Sequence, residues 1–291
     1  MPQQYRMIAI DLDGTLLSPE GRVTPRTKEA VHAALRAGLL VCFATGRNQT
    51  ESQMVLDAVA HYDTAVFVGG AMVVDTKQRL TLHRTCMQSG LARELCRTIE
   101  QTGHAALALQ DTGLAGVDYL ITDGVDLNHA TQQWLKVTRA TVHKTKELAT
   151  YAHEHTIRIG IVAAPDDAKR MTELLNAQYE GRIVCHSIHV AAYGVDVMEI
   201  FDPAVNKWEG ILHVARRHGI LPEQIVAIGD DINDLPMLKN AGLGVAMGNA
   251  KPEAVAVADR QIRGNDVDGL AEFIEELLAT HAVTPIAAPR E

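Results

Sequence analysis

The sequence predicts an α/β protein, a parallel-sheet core with a separate α+β module inserted into it. Three observations carry this. The chain opens on a strand–helix–strand–helix–strand pattern, which implies parallel strands joined by right-handed crossovers. Residues 84–190 then change to amphipathic helices and short paired strands. Strand–helix alternation resumes afterwards and runs almost to the end. The expected division is therefore a core of residues 1–83 and 191–291 and an insert of residues 84–190.

The first strand, Met7 to Ile10, is wholly apolar and stops at Asp11-Leu12-Asp13-Gly14-Thr15. Short apolar runs closed by turn residues read as buried strands. In open α/β sheets a ligand sits beyond the carboxyl ends of the strands. Residues i and i+2 of an extended segment point the same way, so Asp11 and Asp13 are expected to face one ligand there. Two such carboxylates can hold a hard cation, or one can attack an electrophile while the other handles a proton. Taken alone, an Asp-x-Asp is more often an acidic turn. An EF-hand loop is excluded, because Leu16 stands where it needs Gly and Arg22 where it needs Glu.

Thr24-Pro25 reads as an N-cap followed by proline at the first helical position. That helix runs to about Ala37 and stops at Gly38. Leu39 to Ala44 is a second strand ending in Thr45-Gly46-Arg47. A helix over about Gln49 to His61 and a third strand, Ala65 to Val68, come next. Ala71 to His83 reads as a hairpin.

In the insert, Leu91, Leu95 and Ile99 mark an amphipathic helix. Ala105 to Leu109 and Tyr119 to Thr122 read as strands flanking an Asp111 to Asp118 loop. Ile157 to Ala163 is a strand, and Asp166 to Tyr179 a helix with Met171, Leu174 and Leu175 inward. Ile183 to His186 and His189 to Ala191 read as two short strands. His153-Glu154-His155 lies on a polar stretch and reads as a solvated face rather than a metal site.

Met198 to Phe201 is expected to restart the core. Asn206-Lys207 opens a helix, and Ile225 to Ile228 is a strand ending in the acid-rich Gly229-Asp230-Asp231-Ile232-Asn233-Asp234. Further elements run to Leu278, and His281 to Glu291 reads as a loose tail.

Composition narrows the function classes. A formal net charge of −9 argues against a nucleic-acid-binding footprint. There is no apolar run long enough to span a membrane. The first strand follows Met1 to Arg6 directly and leaves no room for a signal peptide. Cys42, Cys86, Cys96 and Cys185 show no paired metal spacing and read as free thiols, hence a cytoplasmic protein.

Four strand ends or their neighbours carry matching chemistry: Asp11-x-Asp13, Thr45-Gly46, Lys207, and Asp230 with Asn233-Asp234. A phosphate with a bound cation needs carboxylates for the cation and hydroxyl, amide and ammonium donors for the phosphate. In these segments the sequence resembles the haloacid-dehalogenase-like hydrolase superfamily, in its Cof-type sugar-phosphatase branch. The resemblance rests on Asp11-Leu12-Asp13-Gly14-Thr15-Leu16, Ala44-Thr45-Gly46-Arg47, Lys207 and Gly229 to Met237. Ala246-Met247-Gly248-Asn249-Ala250 and Asp266 to Leu270 also resemble the branch.

The resemblance implies a Rossmann-like core with an inserted α+β cap. It also implies an Mg²⁺-dependent phosphatase of small phosphorylated metabolites, sugar phosphates above all. Asp11 would be the nucleophile and Asp13 the general acid and base. Mg²⁺ would be held by Asp11, the carbonyl of Asp13 and Asp230, with Asp234 in support. The Leu12 and Gly46 amides, the Thr45 hydroxyl, Lys207 and Asn233 would hold the phosphoryl oxygens. Two departures stand out: Gly69-Gly70 where the branch often has Asn-Gly, and Trp208, where it often has Gly and where core packing is expected. A phosphomutase on the same scaffold and a non-enzymatic phospho-acceptor are the competing readings.

Overall fold

The computed structural model describes residues 5–125, 127, 129–138, 140–190 and 194–280. The expected tail at 281–291 lies outside them. The chain divides into two compact units, Met1–His83 with Asn206–Glu291, and Arg84–Val205.

The core begins with β1 (Met7–Ile10), α1 (Pro25–Arg36), β2 (Leu40–Phe43), α2 (Gln49–Val59), β3 (Thr64–Phe67), β4 (Met72–Asp75) and β5 (Leu80–Arg84). Local chemistry starts both helices. Thr24 Oγ1 accepts from the Thr27 amide at 3.1 Å, and Asn48 and Glu51 form a reciprocal capping box. α2 stops at Ala60, which adopts a left-handed conformation (φ +57°).

The insert holds α3 (Ser89–Gln101), β6 (Leu107–Gln110), α4 (Thr112–Ala115), β7 (Tyr119–Thr122), α5 (His129–Thr138), β8 (Val142–Thr145), β9 (Thr156–Ala163), α6 (Pro165–Gln178), β10 (Val184–Val190) and β11 (Val195–Phe201). Its sheet runs in the order β10-β11-β9-β6-β7-β8 and is antiparallel except for β7 with β8. Leu91, Leu95 and Ile99 of α3 and Met171 and Leu175 of α6 are buried in one cluster with Ala108, Leu120, Ile159, Ile161 and Ile200 of the sheet.

The insert departs from expectation in four ways, the first being that His153, read as part of a solvated face, is buried with its ring bonded to Leu148 and Thr156. The two short strands near 183–191 are one strand, β10. Leu174, expected inward, is 39% exposed. The stretch expected to restart the core at 191 instead forms β11, paired over seven residues with β10 and over five with β9. The core resumes only at Asn206. An apolar run shows that a strand forms, but its partners decide which sheet it joins.

The core then continues with α7 (Lys207–Arg217), β12 (Ile225–Gly229), α8 (Leu235–Asn240), β13 (Leu243–Ala246), α9 (Pro252–Val257), β14 (Arg260–Gln261) and α10 (Gly269–Thr280). Its main sheet is parallel, in the order β14-β13-β12-β1-β2. A single parallel bridge, Ala44 to Val66, brings in the β3-β4-β5 sheet.

Strand register aligns the ends of the central strands. Ile10 pairs with Phe43 on one side and Ile228 on the other. The residues just beyond these three strand ends therefore emerge together at one edge. Trp208 is buried in the core cluster with Val66, Val73 and Ile211, as expected.

Candidate active site

The chain leaves β1 at Asp11, turns widely through Leu12–Leu16, and needs Gly14 at φ +77° to do so. A side chain at Gly14 would also come within 2.1 Å of the Asp230 carboxylate, so this backbone lies directly against that acid. Asp11 is 4% exposed. Leu12 is fully buried, so only its backbone can serve a ligand.

Lys207 reaches Asp11 from the first turn of α7. Asn206 caps that turn, accepting from the Glu209 amide at 3.1 Å. The Lys207 ammonium is buried and donates to Asp11 Oδ1 at 2.6 Å and Asp234 Oδ1 at 2.7 Å. Asp234 is fully buried, and its other oxygen accepts from the amides of Asp230 and Asp231 at 2.9 and 3.1 Å. It therefore shapes the β12 loop and fixes Lys207. Asp230 Oδ1 accepts from the Thr15 hydroxyl at 3.0 Å.

Carboxylate oxygens of Asp11, Asp230 and Asp234 lie within 4.8 Å of one another. Three acids crowd one ammonium that bonds only two of them, and the pKa values of two of the acids, Asp11 and Asp230, are pushed up. Burial raises Asp11 well above the carboxylate range despite Lys207, with Asp234, Asp230 and Asp13 adding to the effect. Asp230 is pushed up to about 7, first by burial and then by Asp234. Burial disfavours the Lys207 ammonium, but Asp11 and Asp234 outweigh it and hold its pKa above that of an ordinary lysine. A hard cation bound by oxygen would relieve this excess of negative charge, so the donor set fits Mg²⁺.

Asp13 is placed differently from Asp11. Its side chain is 56% exposed and pairs bidentately with Arg47, at 2.8 and 2.5 Å. The two acids have different protein partners. Asp11 is drawn inward by Lys207 and Asp13 outward by Arg47. Sequence reasoning places Arg47 at the end of Ala44-Thr45-Gly46-Arg47 and gives it no role. A lone arginine after a turn carries no local signal of its partner.

The β2 loop supplies donors. Thr45 is buried, and its hydroxyl oxygen accepts from the Arg47 amide at 3.1 Å, which leaves its O–H to donate. A side chain at Gly46 would lie 3.8 Å from the Asn233 amide nitrogen, so these two loops adjoin. The structure thus brings Asp11, Asp230, Asp234 and Lys207 into one cluster, and sets Thr45, Gly46 and Asn233 on loops at the same edge. Gly69-Gly70 has a packing reason. A side chain at Gly70 (φ +107°) would come within 1.9 Å of the Asn206 carbonyl, so the entry to α7 rests on bare backbone there.

The family model for haloacid dehalogenase-like hydrolases matches residues 8–274. A 5-amino-6-(5-phospho-D-ribitylamino)uracil phosphatase of Bacillus subtilis is 28% identical over 274 residues, covering 93% of this chain and 96% of its own. A pyridoxal phosphate phosphatase of Escherichia coli is 28% identical over 277 residues, covering 92% and 97%. The crystal structure of a haloacid dehalogenase-like hydrolase from Bacteroides thetaiotaomicron shares the fold, with a TM-score of 0.77 at 22% identity over 94% of this chain and all of that one. The chain belongs to the haloacid dehalogenase-like hydrolases.

Proposed function

We propose that this enzyme is a Mg²⁺-dependent phosphatase of small phosphorylated metabolites, sugar phosphates among them, acting through an aspartyl-phosphate on Asp11. The observation that carries the reading is the buried Lys207 ammonium bridging Asp11 and Asp234 at the carboxyl edge of the sheet. The family's hydrolytic chemistry and the phosphatase relatives support it.

Each residue then has a task. Asp11 Oδ attacks phosphorus as the bond to the leaving oxygen breaks, and Asp13 gives that oxygen a proton. Asp13 next takes a proton from water, whose oxygen attacks the same phosphorus, and the bond to Asp11 breaks to release phosphate. Lys207, the Thr45 hydroxyl, the Leu12 and Gly46 amides and Asn233 hold the phosphoryl oxygens and stabilise their charge. Asp11, Asp230 and the Asp13 carbonyl would hold Mg²⁺, with Asp234 in support. When bound, the ion lowers the repulsion between Asp11 and a phosphate dianion. Because Arg47 occupies both Asp13 oxygens, that ion pair opens before Asp13 serves as acid.

Residues 84–205 act as the specificity-determining cap in this reading, and the four free cysteines support a cytoplasmic enzyme. Among the described residues no helix is long and apolar enough to cross a membrane.

The test is release of inorganic phosphate from a panel of sugar phosphates. Chelation should abolish it and Mg²⁺ should restore it. Restoration by Zn²⁺ alone would contradict the site. Transfer of phosphate to a second sugar hydroxyl, with little free phosphate, would make the enzyme a mutase instead.

A further inference from the structure

Asn249 lies on the loop after β13 and takes no part in the phosphoryl-transfer steps. Its Nδ2 donates to the Gly14 carbonyl at 2.8 Å and lies 3.5 Å from Asp230 Oδ2. Its Oδ1 accepts from the Asn265 amide at 3.0 Å, and Asn265 Nδ2 donates onward to the Leu17 carbonyl at 2.7 Å. The orientation of the amide is forced, because two acceptors face its nitrogen and one N–H faces its oxygen. The neighbouring glycine makes this approach possible. A side chain at Gly248 would come within 2.6 Å of the Gly264 amide nitrogen.

Asp230 is thus confined on three sides. Thr15 holds Oδ1, the bare backbone of Gly14 closes one wall, and the Asn249 amide stands at Oδ2. We infer that Asn249 is a positioning residue for the cation site: tied to the β1 loop through Gly14, it sets the Asp230 carboxylate in the orientation that binds Mg²⁺. This rests on the proposed Mg²⁺ dependence. Asn249 is neutral, so it orients Asp230 without competing for it as a cation would. It is also exposed, so its removal leaves no core cavity. Partners that orient a metal ligand are typically worth about 10–100-fold in metal affinity or activity.

The experiment is Mg²⁺ binding by calorimetry, repeated with Mn²⁺ by electron paramagnetic resonance, on the full chain and on Asn249→Ala. The dissociation constant should rise about 10–100-fold. The Mg²⁺ concentration for half-maximal turnover should rise with it, while KM for p-nitrophenyl phosphate at saturating Mg²⁺ moves far less. Thermal unfolding without metal should barely change. An unchanged Mg²⁺ constant, or one common drop in stability, KM and kcat, would overturn the proposal and make Asn249 a loop tie. Should Asn249→Ala not fold, Asn249→Gln keeps the amide and displaces it by one methylene, and weaker Mg²⁺ binding is again expected. Asp230→Asn separates the two levels. It should abolish Mg²⁺ binding, and if it does not, the metal reading itself fails.

Discussion

The two units of this protein both bury charge, in opposite ways. At the carboxyl edge of the core sheet, three carboxylates cluster around one ammonium that bonds two of them. In the middle of the insert's sheet, Arg158 and Glu199 pair one to one, with side chains 5% and 8% exposed. The Arg158 guanidinium also donates to the Tyr119 hydroxyl at 3.2 Å and lies 6.0 Å from the Phe201 ring centre. A balanced pair with its remaining polar atoms satisfied is complete in itself. The core cluster is not, because its acids outnumber its ammonium, an excess that a bound cation would match. Buried charge marks a site where it fails to sum to zero.

The sharpest way to break this contrast is at the nucleophile. Asp11→Asn keeps the shape and removes one charge from an overcrowded cluster. Turnover of p-nitrophenyl phosphate should vanish, while thermal stability without metal holds or rises. Asp13→Asn should lower turnover by roughly 10²–10⁴-fold, as expected for loss of general acid–base catalysis. Substantial hydrolysis by Asp11→Asn would end the assignment, and a sharp loss of stability would mean the cluster is balanced after all.

The insert's pair should respond the other way. Glu199→Gln strands a buried guanidinium, and breaking such a pair costs about 3–5 kcal/mol. Denaturant unfolding should show that loss, while the folded fraction still hydrolyses p-nitrophenyl phosphate. If activity on this ester disappeared without loss of stability, the pair would belong to a site and the contrast would fail.

A smaller effect is expected on the Asp111 to Asp118 loop. Much of it is the short helix α4, pinned at both ends. Asp111 accepts from Arg84 at 2.8 Å, and Asp118 accepts from the Thr112 hydroxyl at 2.8 Å and the Thr141 hydroxyl at 2.7 Å. Between these anchors Leu114 is 56% exposed. Leu114→Asp should shift relative kcat/KM among sugar phosphates by the order of ten-fold that one apolar contact is worth. Its rate on p-nitrophenyl phosphate should hardly move. A uniform change across all substrates would make the loop structural.

Local information in the sequence determined much of the core. Apolar runs stopped by acids placed β1 and β12 and their loops. Thr24-Pro25 and Asn206 mark helix starts because capping is a bond between a side chain and an amide three residues on. The residues Asp11, Thr45, Lys207 and Asp230 each lie at a strand or helix boundary and are weak signals singly; their joint resemblance to the family's motifs singles them out. The tertiary structure decided what these residues touch. Lys207 meets Asp11 across 196 positions and Asp234 across 27. Those contacts depend on register between strands, which no local pattern encodes. The same holds for Arg47 on Asp13, for Asn249 beside Asp230, and for β11, whose apolar run suits either sheet until β9 and β10 pair with it. Sequence periodicity reports which face of an element is apolar. It carries no information about which distant element covers that face, and here that pairing sets the partners of the site's charged groups.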